Sequence, residues 1–100
     1  MTCKPLNRED LADKLVEEAA EVIQGVCKCK RFGPDQEHPE TKVKNRNALE
    51  KEIGQLFLAI DDVIVAEELS LKEISRAYME KKVTRKYWDQ FNIKKGTVGA

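Results

Sequence analysis

With 100 residues, eighteen basic and eighteen acidic side chains, the chain is one domain's worth of protein with no net charge to attract a nucleic acid or a membrane surface. A composition that is 36% charged and only 6% aromatic suits amphipathic helices better than sandwiched sheets, and predicts a single all-α domain over 1–100, with its core in 7–92 and a frayed tail over 93–100. No apolar leader and no long uninterrupted apolar run is present, so neither a signal peptide nor a membrane span is expected and a cytoplasmic setting follows.

Asn7 followed by Asp10 reads as an N-cap with an acidic third residue, and Leu11, Leu15, Ala19, Val22 and Val26 then recur at helical spacing. A first helix is predicted from about Arg8 to about Lys30. The odd cysteine count of Cys3, Cys27 and Cys29 implies reduced thiols, because a C-x-C pair within a helix points its side chains about 200° apart and cannot chelate. Lys28, Lys30 and Arg31 fall where the first helix ends, and cations favour a helix C-terminus. Gly33, Pro34 and Pro39 break any regular pattern, so a polar loop is predicted over 32–44, either a plain connector or a lid; its one histidine, His38, reads as solvated.

Asn47 with Glu50 is a second capping signal, and Leu49, Ile53, Leu56, Phe57, Ile60, Val63 and Ile64 give a second helix its apolar stripe. Leu58 and Val65 lie on the opposite side, which makes this helix apolar nearly all round. Three helices from one chain cannot cover it, so a homodimer or homotetramer forming a helical bundle is predicted. Ser70 and Glu73 form the clearest capping box, opening a third helix on Leu71, Ile74 and Tyr78 that continues to about Trp88.

Glu17, Glu18 and Glu21 read E-E-x-x-E and share one flank of the first helix, with Glu18 beside the apolar stripe. On the second helix, Glu52, Gln55, Ala59 and Asp62 form a ridge at i, i+3, i+7 and i+10. Two such ridges face to face would gather carboxylates at the edge of a hydrophobic core, where their repulsion is costly unless a cation neutralises it. Hard oxygen donors suit magnesium or manganese. A di-iron bundle would need Glu-x-x-His pairs, and nucleophilic triads or a glycine-rich phosphate loop lack supporting spacing.

The run Leu15 to Ile23, LVEEAAEVI, followed after the loop RFGPDQEHP by Leu49 to Ala59, LEKEIGQLFLA, resembles the paired E-E-x-x-E and E-x-x-D motifs of MazG-like nucleoside triphosphate pyrophosphohydrolases, in their short single-domain form from bacteriophages and bacteria. The resemblance covers about Asn7 to Trp88. It implies hydrolysis of a nucleoside triphosphate to monophosphate and pyrophosphate, with Glu17, Glu18, Glu21 and Glu52 as catalytic and metal-holding residues and Mg²⁺ or Mn²⁺ as cofactor. Gln55 stands where the family has the Asp of E-x-x-D; it offers one neutral carbonyl oxygen as a fifth metal ligand, so weaker metal affinity is expected. Lys81 and Arg85 extend the predicted inward face of the third helix, and the resemblance implies that Lys81, Lys82 and Arg85 contact the triphosphate. Two other readings stay open: a MazG-like module that binds nucleotide or a partner without turnover, and phosphoribosyl-ATP pyrophosphatase chemistry, which uses a similar helical carboxylate design.

Overall fold

The computed structural model describes residues 6–94, with side chains as far as residue 88. It is an all-α hairpin plus a third helix: α1 (Arg8–Phe32), α2 (Asn45–Ala66) and α3 (Leu71–Lys94). The chain divides into two compact units, one ending at Leu69 and the other beginning at Ser70. Among the described residues no helix is long and apolar enough to cross a membrane. Cys3 lies outside the described residues, as does the expected tail beyond Lys94.

The start of α1 follows the sequence signal. Asn7 Oδ1 accepts the Asp10 N–H at 2.8 Å and Asp10 Oδ2 accepts the Asn7 N–H at 3.4 Å, closing a reciprocal capping box. Glu9 and Asp10 in the first turn and Lys30 and Arg31 in the last complement the helix dipole. Gly33 ends the helix at φ 93°, a conformation that L side chains avoid, and its N–H returns to the Cys29 carbonyl at 2.9 Å.

The loop that follows is a wired structure. His38 N–H donates to Val43 O and Lys42 N–H to His38 O, both at 2.9 Å, and Glu37 pairs with Lys44 in an isolated antiparallel bridge. Its carbonyls also cap α2: Asn45 N–H donates to Gln36 O at 3.0 Å and Arg46 N–H to Pro34 O at 2.8 Å. The expected Asn47 cap is therefore corrected. Lys44 is the N-cap residue, without a side-chain bond, and Asn47 Nδ2 donates sideways to Glu50 Oε1 at 2.8 Å. Asn47 is already helical because the loop, not a side chain, satisfies the first amides. At the far end Glu68 turns left-handed (φ 53°), and Leu69 N–H reaches back to Ile64 O at 2.9 Å.

α1 and α2 run antiparallel. Arg8 at the start of α1 pairs with Glu67 just past α2, while at the loop end a Cβ built on Gly25 would stand 3.1 Å from Leu49 Cδ1. That approach requires glycine or a shift of Leu49. The seam of α1 is formed by Leu11, Leu15, Glu18, Ala19, Val22, Gly25 and Cys29, and that of α2 by Leu49, Glu52, Ile53, Leu56, Ala59, Asp62 and Val63, all buried or half-buried. Val26, Phe57 and Ile60, expected on the packed stripes, are exposed instead. Among the described residues only Ala59 and Glu18 are buried, and neither completely. The hairpin thus closes most tightly over a small residue and a carboxylate, with leucines, isoleucine and valines half-buried around them and Phe57, Leu58 and Val65 left exposed.

In the second unit, Glu73 N–H donates to Ser70 Oγ at 3.2 Å, as the capping signal predicts. α3 extends beyond the expected Trp88 to Lys94. Leu71, Ile74 and Tyr78 are exposed, so within its own unit α3 has no inward face of the kind the spacing predicts. Tyr87 and Trp88 meet edge-to-face at 5.8 Å.

Candidate metal centre

Glu18 and Glu21 stand one turn apart on α1, and Glu52 faces them from α2. One carboxylate oxygen from each lies within 4.8 Å of the others. That spread matches the span of about 4–5 Å between ligands on opposite sides of a divalent cation bound by oxygens. The sequence places Glu18 beside the apolar stripe; the structure places it within the stripe, 5% exposed, because Leu15 and Val22 flank it at i−3 and i+4.

Burial at that level forces an account of every polar atom. Glu18 Oε1 pairs with Lys14 Nζ at 3.2 Å, an i, i+4 contact. Glu18 Oε2 and Glu52 Oε2 are buried and have no hydrogen-bond partner. The Lys14 ammonium is shared between Glu18 and the exposed Glu17. The strain registers on Glu21, whose carboxyl is raised above the ordinary glutamate value, first by the approach of the Glu52 carboxyl, with which it can share a proton, then by the Glu52 charge and by desolvation; Lys14 and the neighbouring Glu18 act the other way. Like charges at this distance either share protons or share a cation. Three hard oxygen donors on two rigid helices, two of them with an orphaned oxygen, could hold a metal ion.

The remaining expected residues fall outside this trio. Glu17 is exposed, 4.0 Å from Lys14 Nζ. Gln55 is exposed one turn beyond Glu52, and the three glutamates assemble without it. Asp62 is half-buried further along the α2 seam and Asp61 is exposed. Lys81, Lys82 and Arg85 belong to the other unit, where with Tyr78 they line a shallow hollow and Lys82 Nζ sits 5.9 Å from the Tyr78 ring centre. Lys14 is the participant the motifs did not single out, although its i, i+4 spacing to Glu18 was there to find.

Glu21 and Glu52 also border a hollow of about 290 Å³ at the loop end of the seam, shared with Lys28, His38, Thr41 and Asn45. His38 is exposed, as expected of a loop residue, yet it has a structural task. Its Nδ1 accepts the N–H groups of Glu40 at 3.1 Å and Thr41 at 3.3 Å.

No family model matches the chain, and no match is found among the curated proteins or the solved structures.

Proposed function

We propose that this chain is a metal-dependent hydrolase that converts a nucleoside triphosphate to the monophosphate and pyrophosphate. The supporting observation is the glutamate trio in the helix seam, with the buried Glu18 Oε2 and Glu52 Oε2 left without hydrogen-bond partners. The paired acidic motifs that resemble MazG-like pyrophosphohydrolases supply the reaction class. Glu18, Glu21 and Glu52 would hold the ion, and hard carboxylate donors suit Mg²⁺ or Mn²⁺. When bound, such an ion neutralises phosphate oxygens and lowers the pKa of a coordinated water.

The chain's own residues do the rest. The two helices fix the spacing of the three carboxylates before substrate arrives. Glu17, exposed on the adjoining flank, is accessible to take a proton from the water that attacks the α-phosphorus. Lys81, Lys82 and Arg85, which the resemblance implies as triphosphate contacts, lie in the other unit. The working form is a homodimer or homotetramer, a reading supported by the exposed Phe57, Leu58 and Val65 on α2. A cytoplasmic setting goes with a triphosphate substrate.

Pyrophosphate release from a panel of triphosphates that includes phosphoribosyl-ATP, assayed with Mg²⁺ and with Mn²⁺, tests the reading. Native protein should release pyrophosphate, and Glu52→Gln should lower the rate at least about a hundredfold, since even groups that merely orient metal ligands cost about ten- to a hundredfold. Metal binding without turnover of any substrate would instead make the chain a binding module.

A further inference from the structure

The hollow beside Glu21 and Glu52 is open, mixes polar side chains with Gly25, Val43 and Ala48, and is shaped by the 33–44 loop. The loop's backbone hydrogen bonds determine which atoms remain for a ligand. His38 Nδ1 is occupied as an acceptor by two backbone N–H groups, so the neutral ring carries its proton on Nε2 and can only donate from there. Thr41 Oγ1 accepts the Val43 N–H at 3.3 Å, and its hydroxyl proton remains to be given. Lys28 contributes an ammonium with three donors. The loop has therefore consumed acceptors and left donors. Asn45 is the exception, its Nδ2 being given to Gly33 O at 2.9 Å.

The start of α2 offers no backbone alternative. The N–H groups of Asn45 and Arg46 are taken by loop carbonyls and those of Asn47 and Ala48 by Lys44 O. Any anion here must be held by side chains. Among the described residues that line the hollow there is no Phe, Tyr or Trp on which a base would stack. Lys28 and the His38 and Thr41 donors stand beside the two carboxylates of the candidate metal cluster, and with an ion offsetting Glu21 and Glu52 they suit anionic oxygens continuing from those the metal would hold.

We infer that this hollow is a phosphate subsite: Lys28, His38 Nε2 and Thr41 Oγ1 seat part of the polyphosphate chain of a nucleotide whose other phosphate oxygens face the metal centre. The inference rests on the reading of the glutamate trio as that centre. It assigns to the hairpin its own phosphate donors, in the same unit as the carboxylates, independent of the basic residues on α3.

The test uses the full chain, Mn²⁺ and inorganic pyrophosphate as probes, and two variants. Lys28→Met removes the charge at an exposed position and leaves the helix intact. His38→Asn retains a side-chain acceptor for the loop amides and loses the Nε2 donor. Mn²⁺ affinity should stay within about twofold in both variants, while pyrophosphate affinity of the Mn²⁺-loaded protein should fall about tenfold for Lys28→Met, the scale of one charge-assisted hydrogen bond, and less for His38→Asn. Unchanged pyrophosphate affinity in both variants with normal Mn²⁺ binding overturns the subsite and leaves the metal centre standing. If native protein takes no Mn²⁺, the metal reading fails instead, and the same titrations in chelator decide the hollow alone: loss on Lys28→Met supports it, and no difference, or no binding of pyrophosphate at all, overturns it.

Discussion

Each face of α2 carries groups that the other would ordinarily hold. The face against α1 carries Glu52 and Asp62 among Leu49, Ile53, Leu56 and a buried Ala59, while the opposite face presents Phe57, Leu58 and Val65, each more than 60% exposed. Elsewhere in folded proteins charged groups are rarely buried without partners and large apolar groups rarely cluster in the open. Each face is out of place in an isolated hairpin, and each becomes ordinary once something is added: a cation on the inside, a second copy on the outside. The hairpin carries its candidate site within its own packed seam and leaves an apolar face uncovered.

The outer face gives the largest expected effect. Burying one Leu or Val side chain is worth about 1.5–3 kcal/mol, and a symmetric contact counts each side chain twice. Replacing Leu58 and Val65 together with Glu should therefore turn an oligomer into monomers at micromolar concentration, read by sedimentation or light scattering. Native protein that is monomeric under those conditions would break the comparison at once.

The inner face responds to Glu18→Leu. Removing one of three crowded carboxylates relieves their repulsion, and its partner Lys14 stays in solvent, so the metal-free variant should be at least as stable as native protein, with metal binding abolished. Divalent metal should raise the thermal midpoint of native protein and leave that of Glu18→Leu unmoved. A variant that is both less stable and still metal-responsive would show that Glu18 is a structural residue.

Much of this was legible in the sequence, for identifiable reasons. Capping at Asn7 and Ser70 is local, so both helix starts could be read from residues three apart. The start of α2 depends on the Gln36 and Pro34 carbonyls, a loop effect with no signature, and the Asn47 signal misplaced it. Periodicity found both helices of the hairpin and most of their packed stripes, and misplaced Val26, Phe57 and Ile60, because apolar content was taken to mark the inside. Glu18, Glu21 and Glu52 were legible as motif positions. Lys28, Thr41 and Asn45 were not, since only the folded loop brings them to the hollow.

Gln55 sharpens the inner comparison with a smaller effect. It is exposed beside a trio already complete, so Gln55→Asp should cost less than about 0.5 kcal/mol of stability, as surface substitutions do. If the new carboxylate reaches the ion, the Mn²⁺ or Mg²⁺ concentration needed for half-maximal pyrophosphate release should fall. No change in that concentration would place position 55 outside the coordination sphere.

The smallest effect is electrostatic and separates the inside from the ends of the hairpin. Glu21 is raised by its neighbour Glu52, so in the metal-free protein its contribution to stability is fully present below the ordinary glutamate range and is lost as pH rises through its raised value. Glu67 is lowered by Arg8 and Asp35 by Arg46; their contributions are present above the ordinary carboxylate range and are lost as pH falls through their lowered values. Acidification from neutral should therefore first raise the thermal midpoint in chelator and then depress it. In Glu21→Gln the initial rise should vanish while the later fall persists. Added salt should shrink the later fall, because those pairs are solvent-exposed and screened. A native curve that only falls from neutral, or that overlays Glu21→Gln throughout, would mean the three carboxylates are relaxed by solvent and do not constitute a waiting cation site.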